Sequence, residues 1–361
     1  MKSALVQSSA LVASHSCTFG KKLSLFSLLI ISLFFSYGQD SLPIPKLNGK
    51  KDTSIVDITI VRDSSLQRDL IAGGFYSTPL VPKQRKWLIA GINFVAYGGS
   101  LIILNNTWYK NYPHTSFHVF NDSREWLQVD KVGHTWTAYN TGRASTAMWK
   151  WSGLSDNTAA LIGGLSGTAY LTVIELLDAH SSKWGWSWAD MGANLLGSGI
   201  FLSQQLAWNE QRVQFKFSFH HKNYGDPQLE QRADDLFGKT WYERMLKDYN
   251  AQTYWLSANL KSFFKQSNLP AWLNISVGYG ADGMFGGFEN QWTDKLGNNI
   301  LRNDISRKRQ FYLAPDIDFT KIKTNSKFLR TIFSGLNAFK CPAPALMIDS
   351  KGKLKAYAFY F

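Results

Sequence analysis

The sequence predicts an α+β protein: an N-terminal four-helix, membrane-associated bundle followed by a smaller antiparallel strand-rich part. Two observations carry this prediction. Apolar segments with glycines at three- and four-residue spacing fill residues 83–210, and small residues at that spacing let helices approach closely. After residue 210, large apolar and polar residues alternate as in strands. An apolar fraction of 45 % in 361 residues excludes a disordered chain.

Residues 1–38 have the pattern of a signal peptide. Two lysines precede an apolar stretch of 13 residues, Leu23–Phe35, and small residues follow it up to Gly38. Cys17 lies before the apolar stretch and is therefore not placed as a lipobox cysteine, which predicts export without a lipid anchor. The second cysteine, Cys341, would leave a mature chain without an internal disulfide.

The net charge of +13 comes from 39 Lys and Arg against 26 Asp and Glu. The basic residues are scattered, and the densest groups, around Arg85 and Lys308, form no long basic run and no nucleic-acid motif. We therefore expect no nucleic-acid partner. Membrane lipid or other anionic envelope components are the expected partners, and the pattern leaves the oligomeric state open.

After a polar linker over 39–82, the segment 83–210 predicts the helical bundle. Its first helix contains an apolar run of 18 residues, and three further helices follow after short loops. The four predicted helices are Trp87–Leu104, Trp126–Trp151, Asn157–Asp178 and Ser187–Trp208.

The segment 211–361 predicts a mixed helix and antiparallel strand region. Phe215, Phe217 and Phe219 alternate with polar residues, and the alternation returns near residues 273–279. We expect Glu230–Phe264 to be mostly helical or irregular. Too few residues then remain for a complete membrane barrel, so a small sheet packed on the helices is expected.

The predicted helices carry ionisable residues at spacings that place them on shared faces. Such groups on apolar helices are costly unless they are paired, so we expect them to face one another inside the bundle. The predicted polar network consists of Asp130, Lys131, His134, Glu175, Asp178, Asp190 and Asn194.

Two hypotheses describe this network. In the first, Asp130, His134, Glu175 and Asp190 act as acid and base or bind a divalent metal such as zinc or manganese, although no HExxH-type signature is present. In the second, which the sequence favours, the network is structural and fixes the order of the helices. No other cofactor is predicted. The first hypothesis requires the four side chains to converge at an open cleft.

The order Asp130-Lys131-x-x-His134, then Glu175, then Asp190-x-x-x-Asn194-x-x-Gly197 resembles the pattern of the YfiM-like family, described as predicted periplasmic lipoproteins of unknown function. The resemblance covers about residues 85–210. Two later stretches, 247–257 and 278–284, look like those of longer, Bacteroidetes-type members. More distantly the pattern is similar to VanZ-like membrane proteins, which usually have Phe where this chain has Thr135.

The sequence therefore predicts an exported protein of the cell envelope, on the periplasmic side and membrane-associated, with the outer membrane favoured over the inner. The leading functional hypothesis is a non-catalytic structural or lipid- and envelope-interaction protein. The alternative is a membrane-associated hydrolase or lipid-modifying enzyme that uses Asp130, His134, Glu175 and Asp190. An outer-membrane pore is a third option.

Overall fold

The computed structural model describes residues 81–107, 109 and 112–360. The predicted signal peptide lies outside these residues, as does the predicted linker apart from Val81 and Pro82. Across the described ranges the chain is α+β, with eight α-helices and a six-stranded antiparallel sheet. The predicted fold class is confirmed at this level.

Four long helices come first. Their bounds are α1 Pro82–Thr107, α2 Val129–Trp151, α3 Asp156–Ala179 and α4 Trp188–Trp208. Ser155 and Ser187 cap α3 and α4 by accepting backbone N–H groups of the first turn. The helix α2 begins three residues later than predicted, because Trp126, Leu127 and Gln128 all have left-handed backbone conformations.

Helices α2, α3 and α4 pack backbone against backbone where glycines face a neighbour. A Cβ at Gly167 in α3 would lie 2.5 Å from the carbonyl oxygen of Ala138 in α2. A Cβ at Gly197 in α4 would collide with the carbonyl oxygen of Thr135. The remaining helix, α1, contacts the group through side chains: the rings of Tyr97 and Tyr170 stack with centroids 5.2 Å apart.

Two helices of the described chain are long and apolar enough to cross a bilayer: residues 82–106 of α1, and α3. Only 17 % of the apolar window in α1 and 39 % of that in α3 is buried. Length and apolarity alone also fit a core helix, and α3 carries ionisable groups on its buried side.

The second half of the chain forms the sheet. Its strands follow the order β1-β2-β3-β6-β7-β8 and all pairs are antiparallel, while β4 and β5 form a separate hairpin. The strand bounds are β1 Val213–Phe219, β2 Gln252–Asn259, β3 Leu273–Asp282, β4 Gln291–Thr293, β5 Asn299–Leu301, β6 Lys308–Ile317, β7 Ala343–Asp349 and β8 Leu354–Tyr360. The helices in this half are α5 Pro227–Phe237, α6 Trp241–Lys247, α7 Leu260–Phe263 and α8 Lys327–Leu336.

The segment Glu230–Phe264 differs from its prediction, because it contains β2, a central strand of the sheet. Side chains on both faces of β2 are buried at almost every position. Its apolar and polar residues therefore do not alternate. The helices predicted in this segment are present as α5, α6 and α7.

The two halves share one core. Phe215 and Phe217 of β1 pack against Tyr139 and Trp136 of α2, with ring centroids 5.4–6.3 Å apart. This contact joins the start of the sheet to the centre of the helical group and leaves the later strands beyond the reach of α2.

Candidate functional site

A cavity of about 380 Å³ lies where the helices meet the sheet. Apolar and aromatic side chains form much of its wall, including Leu171 and Ile174 of α3 and Phe217 of β1. Carboxyl groups and His134 form the rest. The combination of an apolar wall with a few convergent polar groups is typical of binding and catalytic sites.

Lys131 lies at the centre of the carboxyl groups. Its Nζ is 2.6 Å from Asp122 Oδ2, 2.9 Å from Asp130 Oδ2 and 2.7 Å from Asp190 Oδ1. The Lys131 side chain is 10 % exposed, so its charge is nearly removed from water and must be compensated by these carboxylates. The predicted network therefore has a single ammonium group that joins α2 to α4 and to the segment before α2.

His134 lies beside this group, one turn further along α2. Its Nδ1 is 3.1 Å from the side-chain oxygen of Asn194, and its Nε2 is 3.7 Å from Asp190 Oδ1. A carbonyl oxygen can only accept a hydrogen bond, so with the Asn194 amide in this orientation Nδ1 is the donor. In the neutral imidazole, Nε2 is then the basic nitrogen. With 19 % of its side chain exposed, His134 lines the cavity rather than being sealed in the core.

Glu175 of α3 lies behind His134 and is 1 % exposed. Its Oε1 is 3.8 Å from His134 Nδ1 and has no hydrogen-bond partner among the described residues. Asp178, one turn later, lines the cavity and accepts a hydrogen bond from Tyr109 at 2.6 Å. The structure thus brings together Asp130, His134, Glu175 and Asp190, with the first, second and fourth at the cavity wall and Glu175 behind them.

Local backbone structure fixes these positions. The amide N–H of Trp126 donates to the carbonyl of Gly287, and Tyr279 donates its hydroxyl hydrogen to the carbonyl of Leu127. A left-handed backbone conformation costs conformational energy for non-glycine residues. These contacts from the sheet half hold the segment before α2 in that conformation. The first turn of α2, with Asp130 and Lys131, is therefore placed by the sheet half.

The loop before α4 is organised by Ser187. Its hydroxyl oxygen accepts the N–H of Asp190 at 3.0 Å, and its hydroxyl hydrogen is donated to Asp122. Its own backbone N–H points to Glu175 at 3.4 Å. One capping residue thereby contacts the carboxyl groups of Asp122 and Glu175 and the backbone of Asp190.

Burial and neighbouring positive charges shift the pKa values of these carboxyl groups in opposite directions. Burial raises the pKa of Asp190 to about 7 and that of Glu175 to about 8. For Asp130, burial acts in the same sense, but His134, Lys131 and Tyr249 outweigh it and lower the pKa below its ordinary value. Burial works against a charged His134, yet the surrounding carboxylates raise its pKa. The site thus holds both ionised and protonated acids near neutral pH.

Three side chains could hold a metal ion: Asp130, His134 and Asp190 each offer a ligand atom, and these atoms lie within 4.8 Å of one another. His134 Nε2 with carboxylate oxygens suits zinc or manganese. Glu175 is not part of this set. The Lys131 ammonium already contacts both aspartates, so a metal ion would compete with it for them.

Two residues of the site were not predicted. Asp122 precedes α2 in an irregular segment, and Tyr249 follows α6, from where it donates to Asp130 Oδ1 at 2.7 Å. Neither has a spacing that marks it in the sequence. Trp184 also lies in the cavity wall.

A comparison with known protein families relates one segment of the chain to a described family. Residues 119–204 are similar to the family described as "Predicted periplasmic lipoprotein (DUF2279)". This segment is about a quarter of the chain and includes all seven residues of the predicted network. The YfiM-like and VanZ-like resemblances are not confirmed by name. No curated protein and no solved structure matches the chain. The described family agrees with an exported envelope protein of unknown role.

Proposed function

We propose that the protein is a membrane-associated hydrolase or lipid-modifying enzyme of the cell envelope, with His134 as general base. One observation carries the proposal. Nε2 of His134 is the basic nitrogen, it lies at the wall of a cavity of about 380 Å³, and Asp190 is 3.7 Å from it. A base at the cavity surface, oriented by a second group, is the arrangement that proton abstraction needs.

The groups around His134 have distinct roles in this proposal. Asn194 holds the imidazole in the tautomer with a basic Nε2, and Asp190 stabilises the imidazolium that forms when a proton is taken up. Lys131 keeps Asp130 and Asp190 in place. Asp130 has a lowered pKa and is ionised at neutral pH, whereas Asp190 titrates near it.

The cavity wall indicates the class of substrate. Leu104, Leu171 and Ile174 offer apolar surface next to the polar cluster, so an amphiphile with an acyl chain and a polar head fits both parts. Helices α1, α3 and α4 also expose large apolar side chains, which supports contact with a membrane. Large exposed examples are Phe94, Val95, Leu165, Leu195 and Leu196.

The experiment uses purified full-length protein with vesicles of phosphatidylethanolamine and phosphatidylglycerol, and with a total envelope lipid extract. Mass spectrometry of the lipids should show a product with the wild type and none with His134→Gln. The matched control is His221→Gln, a histidine outside the cavity lining. Unchanged circular dichroism of both variants excludes unfolding. Equal product from wild type and His134→Gln would contradict the proposal.

A second candidate is the non-catalytic envelope-interaction protein. The observation that favours it is that Lys131 contacts three carboxylates at 2.6–2.9 Å, as a purely structural network would. This candidate predicts that the wild type makes no product from either lipid preparation. It also predicts that His134→Gln lowers stability without any other effect.

A further inference from the structure

The six-stranded sheet exposes apolar side chains on its outward face. In soluble antiparallel sheets the apolar face packs on the core and the polar face meets water. Here Asn274 and Ser276 of β3 point inward and are buried, whereas Ile275 and Val277 point outward and are exposed. On β6 and β7 the outward side chains are likewise apolar and exposed, whereas the buried inward side chains are apolar and polar together, with Tyr312 and Met347 beside Asp316.

The outward side chains form two continuous rows across the strands. In the first row, successive cross-strand partners are Leu256, Val277, Leu313, Leu346 and Ala356. In the second row they are Tyr279, Phe311, Ile348 and Leu354. Leu313 is 47 % exposed and Leu346 is 59 % exposed. An exposed apolar surface of this extent normally marks a contact with a partner or a membrane.

The inner face combines a buried aromatic cluster around Trp255 and Tyr312 with a group of paired charges. Lys216 Nζ lies 2.9 Å from Asp316 Oδ2, and both side chains are 0 % exposed. Ser257 donates to the same carboxylate at 2.6 Å, and Lys340 lies 3.7 Å from its other oxygen. The inner face is therefore closed to solvent and internally satisfied, and the outward rows are the apolar surface of the sheet that remains free to contact a partner or a membrane.

The two ends of the apolar rows differ in a way that fits a bilayer. At the β7–β8 hairpin, Lys351 and Lys353 are exposed next to Leu354, and lysines attract anionic lipid headgroups. At the opposite end, Phe264 is 61 % exposed and Trp272 is 42 % exposed. Aromatic side chains of this kind favour the membrane–water interface.

We propose that the outward face of the sheet, formed by the two rows, contacts the acyl chains of an anionic phospholipid bilayer. The proposal rests on the membrane association in the proposed function and specifies the surface responsible for it. It does not depend on the chemistry at His134, because Leu313 and Leu346 lie on β6 and β7, beyond the strands on which α2 mainly packs.

The test places a fluorescent bimane on single cysteines in the full-length chain, with Cys17 and Cys341 changed to serine. The labelled positions are Leu313→Cys and Val277→Cys on the sheet face. The control is Leu296→Cys, which is also an exposed leucine, 87 % exposed, but lies on the separate β4–β5 hairpin. Each protein is reconstituted in phosphatidylethanolamine and phosphatidylglycerol vesicles with or without brominated acyl chains.

We expect brominated chains to quench the label at 313 and 277 by about two-fold or more and to leave the label at 296 unchanged, because quenching requires contact with hydrocarbon. Absence of quenching at 313 would overturn the proposal, even if the helices keep the protein on the vesicles. A second result that would overturn the proposal comes from sedimentation in detergent. If the protein is a dimer, and Leu313→Glu dissociates it while Leu296→Glu does not, the face contacts a second copy of the chain. Lipid turnover by the wild type is measured separately, so failure at the sheet and failure at His134 can be distinguished.

Discussion

His134 and Asn194 are joined side chain to side chain across α2 and α4, with 3.1 Å between Nδ1 and Oδ1. The amide oxygen holds the hydrogen on Nδ1 and leaves Nε2 directed toward Asp190. In many metal and acid–base sites the reactive nitrogen of histidine is selected by such a partner on the other ring nitrogen. Asn194 is fully buried, so this selection is protected from water.

Asn194→Leu should remove that selection. The Nδ1–H of His134 would lose its acceptor, and the free energy of unfolding should fall by about 1–3 kcal/mol. Nitrogen NMR of the histidine ring should show a shift toward the other tautomer. Asn194→Asp keeps an acceptor and is the control, in which the tautomer should stay as in the wild type. An unchanged tautomer in Asn194→Leu would show that Asn194 does not set it.

Lys131→Met should be among the most damaging single changes in the helical half. It leaves Asp122, Asp130 and Asp190 without their shared cation, and breaking a buried ion pair costs about 3–5 kcal/mol. Thermal or denaturant unfolding measures the loss. The control is Lys295→Met, which removes an ion pair to Asp235 from a lysine that is 75 % exposed and should cost less than about 1 kcal/mol. Similar losses for both variants would mean that the buried ion pairs of Lys131 stabilise the fold no more than the exposed ion pair of Lys295.

Glu175 should make the stability depend on pH. Burial raises its pKa from 4.5 to about 8 in the folded chain, so between these values the folded state binds more protons than the unfolded state. The free energy of unfolding therefore falls as pH rises through this window, by up to about 5 kcal/mol. Glu175→Gln cannot titrate and should reduce the slope of the profile between pH 5 and 8 relative to the wild type, leaving the part that Asp190 contributes. Glu289→Gln at an exposed position should leave the profile unchanged, and a wild-type slope in Glu175→Gln would contradict the assignment.

The glycines of the helices should separate into two classes. Gly167→Ala and Gly197→Ala place a Cβ against backbone carbonyls of α2 and should destabilise the protein by about 1–3 kcal/mol through overpacking. Gly192→Ala and Gly199→Ala meet nothing within 4 Å and should stabilise it by about 0.5–1 kcal/mol through helix propensity. Melting temperatures of the four variants test both signs. Equal effects in the two pairs would contradict the packing of α3 and α4 on α2.

The glycine positions also show what the sequence could and could not predict. The helix bounds follow from apolar periodicity and serine caps, so α3 and α4 were placed to within about one residue. All the glycines looked alike in sequence, however, because spacing does not reveal which one faces a neighbouring helix. The strand β2 was missed for a related reason: burial on both faces removes the alternation that marks a strand.

The residues of the site also divide into those that the sequence predicts and those that it does not. The cost of isolated charges on apolar helices predicts that Asp130, His134, Glu175 and Asp190 meet, and their side chains lie together in the structure. Asp122 and Tyr249 come from irregular segments whose approach depends on the whole fold. The exposed apolar face of the sheet could not be predicted either, since alternation in a single strand does not tell which face is turned inward.

The left-handed segment from Trp126 to Gln128 bears on how the chain can be divided. Its carbonyl and amide groups are bound by Tyr279 and Gly287, and Tyr249 binds Asp130 from the same half. All three lie beyond residue 204, where the family match ends. A fragment limited to that segment would contain every predicted network residue and still lack the contacts that set the rotation of the first turn of α2. The smallest unit able to assemble this site is therefore the helical segment together with the strands and loops that clamp it.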